Sequence, residues 1–241
     1  MLWSSVQRIL ERLGPDDVVL DIGGWYRPFT RADWVMDLMP FQTRGEGGSD
    51  GAGAERFTAA SWIQRDICDR QPYPFGDKEI DFVICSHTLE DVRDPVWVCS
   101  EMTRIARAGY VEVPSRLEEQ TYGFQGPWAG WGHHRWLVDV SDVAIELVFK
   151  HHVLHHRASD HFPAGFREAL TPAQRVQTLW WEGSLQCRER VFTSGPELDR
   201  YLAEYVSRHR QQLGAPAEST RQRLLARVCR AVGGALGQGT G

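Results

Sequence analysis

Five apolar runs, each too short to make a helix, constrain what this chain can fold into: 18–22 (VVLDI), 34–38 (WVMDL), 62–67 (WIQRDI), 80–85 (IDFVIC) and 110–113 (YVEV). They are rich in Val, Ile and Trp, so they read as strands, several of them buried on both faces. Between the last two lies DPVWVCSEMTRIARAG, where Val96, Cys99, Met102, Ile105 and Ala106 recur at helical spacing. Asp94-Pro95 opens that helix and Gly109 is expected to close it. A strand, a helix and a strand in that order make a parallel pair.

The other connections are poor in helix signals. The stretch after Gly24 is short and contains Pro28, GEGGSDGAGAE reads as a flexible surface loop, and DRQPYPFGDKE is broken by prolines. A doubly wound sheet ordinarily places full helices there. The terminal helices are therefore expected to help cover the sheet: an amphipathic one over 2–13, stopped by Gly14-Pro15, and GPELDRYLAEYVSRHRQQL, with Leu198, Leu202, Tyr205 and Val206 inward. Beyond residue 115, RWLVDVSDVAIELVFK reads as a hairpin around Ser141-Asp142, with a helix capped by Ser141 as the alternative. VQTLWWEGSLQCRERVF reads as two strands joined by Glu182-Gly183-Ser184. The expected fold class is α/β: a Rossmann-like, mostly parallel sheet with short crossovers and a C-terminal β-rich elaboration. The expected division is 1–115 as core, 116–193 as an acceptor-side insertion with final antiparallel strands, and 194–241 as a C-terminal helix and basic tail.

Composition narrows the partners. With 42% apolar residues in 241, the chain can bury a sizeable core, and a net charge of −5 gives no general footprint for nucleic acid. Five scattered cysteines (Cys68, Cys85, Cys99, Cys187, Cys229) without a C-x-x-C pair read as free thiols in a reducing compartment. No run is long enough to span a bilayer, and the N-terminus lacks the continuous apolar stretch of a signal peptide. The expectation is a cytoplasmic protein of undetermined oligomeric state. Arg221, Arg223, Arg227 and Arg230 make a basic stripe with Leu224, Leu225, Val228 and Val232, read as a solvated terminal helix.

The acids form a series. Asp21 ends the first run, Asp37 the second and Asp66 the third, and CSHTLEDV follows the fourth. Ligands bind at the carboxyl ends of parallel strands, so these groups should meet along one rim. A carboxylate after the second strand can accept both hydroxyls of a ribose. One after the third can accept an adenine amino group, with Ile67 packing on the ring. Gly23 and Gly24 let a backbone approach without a Cβ in the way.

Over residues 17–115 the chain resembles the class I S-adenosylmethionine-dependent methyltransferases of the type 11 group. The likeness rests on VVLDIGG, VMDL, PFGDKEIDFVICSHTLEDV and EMTRIARAGYVEVPS. It implies S-adenosyl-L-methionine as cofactor, with Asp21 and Gly23 against its methionine portion, Gly24 also in the cofactor site, Asp37 on the ribose, and Asp66 with Ile67 framing the adenine. It also puts His87 on the floor between cofactor and acceptor. Trp25-Tyr26 depart from the family's D/E-x-G-x-G-x-G.

Methyl transfer from a sulfonium needs chiefly alignment, and a base only where the acceptor loses a proton. His133 and His134, in GPWAGWGHHRWLV, are the candidates besides His87, and Trp128, Trp131 and Trp136 would line an apolar or sugar-like acceptor site. A small-molecule acceptor with an oxygen nucleophile is the favoured reading. The rivals are a non-catalytic scaffold that keeps the fold and a nicotinamide-dependent oxidoreductase. The second lacks G-x-G-x-x-G opening a helix and leaves Asp66 without work. HHVLHH would stack His151 and His155 on a helix, but no third ligand accompanies them, so no metal set is assigned.

Overall fold

A computed structural model describes residues 1–142 and 144–213. The basic stripe, Cys229 and the rest of the tail lie outside them. Strands form where the short runs predict: β1 (Val19–Ile22), β2 (Trp34–Asp37), β3 (Trp62–Gln64), β4 (Ile80–Ser86) and β5 (Ala106–Pro114). They pair in parallel in the order β3-β2-β1-β4-β5, and β8 (Val176–Glu182) closes the sheet antiparallel to β5. This is a Rossmann-like α/β sheet whose strand order reverses between β1 and β4. The crossovers from β1 to β4 carry only two 3-10 turns, as the breaker-rich connections predict.

Helix α1 (Trp3–Arg12) covers one face, burying Val6 and Ile9 against Val19, Val35, Phe82 and Ile84. Helix α2 (Pro95–Ile105) covers the other, with Val98, Cys99, Met102 and Ile105 packed on Leu20, Ile22, Val83 and Cys85. The Asp94 side chain caps it by accepting from the Trp97 N–H at 3.1 Å.

Gly109 does not close this helix. The chain turns straight from Ile105 into β5, and Gly109 sits in mid-strand. A Cβ there would stand 2.7 Å from the Val83 carbonyl and 2.8 Å from the Trp181 ring. Close approach of a neighbouring strand and an indole, not a helix stop, is what this glycine serves.

Beyond the one-turn helix α3 (Arg116–Glu119), β6 (Trp136–Val140) and β7 (Ala144–Phe149) form the antiparallel hairpin around Ser141-Asp142. The two strands flanking Gly183 do not pair with each other. β8 joins the main sheet, while β9 (Gln186–Glu189) runs parallel to β7 in a second, three-stranded sheet. That small sheet is packed on both sides. Trp136, Val138, Ile145 and Leu147 join the core around α2, and Leu137 and Val148 face Leu202 of α4 (Gly195–Leu213). Of the terminal helices, then, α1 covers the main sheet and α4 covers the small one.

Candidate active site

The reversal between β1 and β4 is where a sheet of this kind leaves a crevice outside its carboxyl ends. Gly23 leaves β1 at φ +78°, a conformation that favours glycine. A Cβ on it would stand 2.1 Å from the Thr88 hydroxyl, so the turns after β1 and β4 touch directly. A Cβ on Gly24 would meet the Asp21 carboxylate at 2.3 Å.

Asp21 is buried and accepts the Phe29 N–H at 2.9 Å. Burial pushes its carboxyl up to about 7, against the lowering effect of that N–H, with Asp50 and Asp37 adding to the rise. Asp37 accepts the Trp25 N–H at 3.0 Å on one oxygen and the Met39 N–H at 2.8 Å on the other. Burial again raises its pKa, while backbone N–H groups oppose the shift. A carboxylate with one donor on each oxygen still has acceptor capacity.

Asp66 lies two residues past β3. It accepts the Cys68 N–H at 2.8 Å and pairs with Arg93. Burial works against its charge, but the Arg93 bond outweighs that and holds the carboxyl below its ordinary value. Ile67 is buried in the core beside it. Trp25 does not continue a glycine turn. Its indole donates to Thr43 at 3.0 Å, and its carbonyl and that of Tyr26 accept from Gly45 and Gly47. The loop after β1 is thereby stitched to the glycine-rich loop after β2.

His87, with φ +52°, directly follows β4 beside two buried carboxylates: Nε2 is 3.2 Å from Glu112 and Nδ1 is 3.4 Å from Glu90. Loss of solvent disfavours the cation, yet bonding to Glu112 and then Glu90 outweighs it and pushes the imidazole up to about 10. At neutral pH such a ring is a cation and a hydrogen-bond donor. It is poorly suited to take a proton.

His134, nearly buried, bonds Glu119 through Nδ1 at 2.7 Å, and Lys150 holds the other oxygen of Glu119 at 2.8 Å. Burial lowers its pKa, but Glu119, followed by Glu90 and Asp91, raises it on balance. The charge of Glu90 thus favours the cation of both His87 and His134. His133 is exposed, its ring 4.6 Å from that of His134.

Sequence reasoning missed Glu90, Glu112, Glu119 and Lys150. Glu90 lies within CSHTLEDV and Glu112 within YVEV, where neither stands out as a site residue, while Glu119 comes from α3 and Lys150 from just past β7. Trp136 does not line a site. It is a core residue whose indole donates to the Val92 carbonyl at 2.8 Å. HHVLHH forms a 3-10 turn, not an α-helix: His151 caps it through the Val153 N–H, and His155 accepts the Ala129 N–H at 3.1 Å. A cleft of about 790 Å³ beside α4, lined in part by Arg116, Asp139, Tyr201 and Tyr205, lies apart from these strand ends.

Comparison with known proteins bears on this rim. Residues 48–111 match the family described as methyltransferase domain. The methyltransferase-like segment includes Asp66, Ile67 and His87, and it overlaps the stretch whose resemblance the sequence carries. Asp21, Gly23, Gly24 and Asp37 precede it. Among proteins of curated function, none matches the chain significantly.

Solved structures with similarity include a chain from a complex with the Haloferax volcanii Trm112 methyltransferase activator, at 20% identity over 50% of this chain and 53% of that one, TM-score 0.34. Another is an arsenic(III) S-adenosylmethionine methyltransferase from Chlamydomonas reinhardtii, at 16% identity over 46% and 49%, TM-score 0.31. A third is an S-adenosylmethionine-dependent methyltransferase from Mesorhizobium loti, at 13% identity over 63% and 64%, TM-score 0.36. The chain spans about half the length of the first of these structures. No helix among the described residues is long and apolar enough to cross a membrane.

Proposed function

We propose that the chain is an S-adenosylmethionine-dependent methyltransferase acting on a small molecule, with an oxygen nucleophile as the favoured acceptor. The observation that carries this reading is the contact of Gly23 with Thr88 at the strand-order reversal, with Asp37 ending the neighbouring strand. The donor set fits an adenosine at its ribose: Asp37 retains lone pairs for the hydroxyls, while the spaces a Cβ would take on Gly23 and Gly24 are filled by Thr88 and Asp21 and hold the turns after β1 and β4 together. S-adenosylmethionine supplies an electrophilic methyl group on a sulfonium that departs as a neutral thioether. The chain's part is to bind and align, which accounts for much of the barrier reduction in such a transfer.

In this reading Asp21 shapes the β1 turn through the Phe29 N–H, and Asp66, steadied by Arg93, lies on the adenine side. His87 presents a positive, donating edge to the acceptor. Glu119 raises the His134 pKa as Glu112 raises that of His87, so the exposed His133 is the remaining candidate for taking a proton.

Titration calorimetry with S-adenosylmethionine tests this. Wild type should bind saturably, and Asp37→Ala should lose ~1.5–3 kcal/mol, the worth of hydrogen bonds to a charged acceptor, or roughly ten- to 150-fold in Kd. Asp37→Asn, which keeps an oxygen for the Trp25 N–H, should fall between them. Unchanged affinity in a folded Asp37→Ala chain would sink the assignment.

A second reading is favoured by the same neighbourhood. The Phe29, Trp25 and Met39 N–H groups and Arg93 already engage all three acids, and the crossovers from β1 to β4 lack helices, which suits a scaffold that keeps the fold without the chemistry. That reading requires no saturable cofactor binding together with a stoichiometric partner recovered on pull-down.

A further inference from the structure

The turn between β4 and α2 brings Asp91 against the loop that precedes β6. Ligating atoms of Asp91, His133 and His134 all lie within 4.8 Å of one another, and His134 Nε2 is 3.8 Å from Asp91 Oδ1. We propose that these three side chains form a binding site for a divalent transition-metal ion. The site itself does not depend on the methyl-transfer reading.

Four features support it. Two imidazoles and a carboxylate are a donor set suited to zinc, iron or manganese. Two donors about 2.1 Å from a shared ion stand at most about 4.2 Å apart, so a small approach by the exposed His133 and the partly exposed Asp91 completes the set. His134 gives its Nδ1 to Glu119, which is pinned by Lys150, and this leaves Nε2 to face Asp91. A ligating histidine ordinarily carries such an orienting carboxylate on its other nitrogen. Finally, Asp91 Oδ1 is buried without a hydrogen-bond partner among the described residues. The adjacent Glu90, by contrast, has the His87 cation 3.4 Å from one of its oxygens. A buried carboxylate oxygen without a donor is costly, and a cation at the trio would satisfy Asp91 Oδ1.

Three protein ligands leave coordination positions open, and His133 puts the trio at the surface. The class of molecule held there would be a small one with an oxygen or nitrogen donor. The trio is invisible in the sequence because Asp91 and the His133-His134 pair are far apart along it.

The test uses the full chain stripped with a chelator and titrated with Zn²⁺ and, separately, Mn²⁺, with bound metal counted after dialysis. One ion per chain is expected. Asp91→Asn and His133→Ala, both at partly or fully exposed positions, should each lose ~tenfold or more in affinity while circular dichroism stays native. Adding Co²⁺ should give a visible absorption band that both substitutions abolish. The site is overturned by absence of saturable binding, by undiminished binding in both folded variants, or by loss on His152→Ala instead. Titration with S-adenosylmethionine is run separately, so its failure would remove the methyl-transfer reading and leave the metal result standing.

Discussion

Asp21 carries a cost that its position explains. Its carboxyl ordinarily titrates at 3.8, and burial moves it to about 7 in the fold. Between those values the folded chain holds a proton that the unfolded chain has released. Its contribution to stability is therefore full below about pH 4 and is lost as pH rises through 7. Asp21→Asn, which can still accept the Phe29 N–H, should stabilise the chain at pH 8 by on the order of 2–4 kcal/mol, since each tenfold change in proton affinity is worth ~1.4 kcal/mol. The gain at pH 4 should be near zero. Urea melts at the two pH values check this, and equal gains at both would contradict it. Asp21 and Asp37 were legible because they end apolar runs. Their partners were not, since the Phe29 and Trp25 N–H groups arrive through a loop whose path no periodicity encodes.

At the scale of elements, the parallel strands and α2 were legible from short apolar runs and one capped periodic stretch. What misled was punctuation. Gly109 looks like a helix stop, yet its work is to let Val83 and Trp181 close in. Gly109→Ala should therefore cost ~1–3 kcal/mol, as overpacking does, more than the propensity change of a strand glycine alone would suggest. A thermal melt of the variant measures it, and a neutral or raised Tm would refute the packing argument. The separation of β8 and β9 into different sheets was likewise hidden. A short Gly-containing link between two β-rich runs signals a hairpin, and only tertiary packing sends its halves apart.

Among the described residues, the two sheets are joined through one core cluster. The cluster around α2 contains Leu20 and Val83 of the main sheet together with Val138 and Ile145 of the small one. A single unfolding transition is therefore expected by calorimetry. Ile145→Ala, a buried truncation, should lower that one transition, costing ~2–5 kcal/mol. A second, separately melting peak would show that the small sheet unfolds by itself.

The chain must also assemble this arrangement in time. β1 and β2 register Leu20 with Trp34 across a short loop, whereas β8 reaches β5 only after the entire hairpin has been made, pairing Ala108 with Glu182. Closing long loops is slow, so β8 should dock last, and its amides should be the latest protected in pulsed hydrogen exchange. Until then Gly109 faces an empty slot and Tyr110 waits for Trp180, its neighbour at 4.6 Å. The nascent chain would thus expose the open flank of β5 to any stray strand throughout its slowest step.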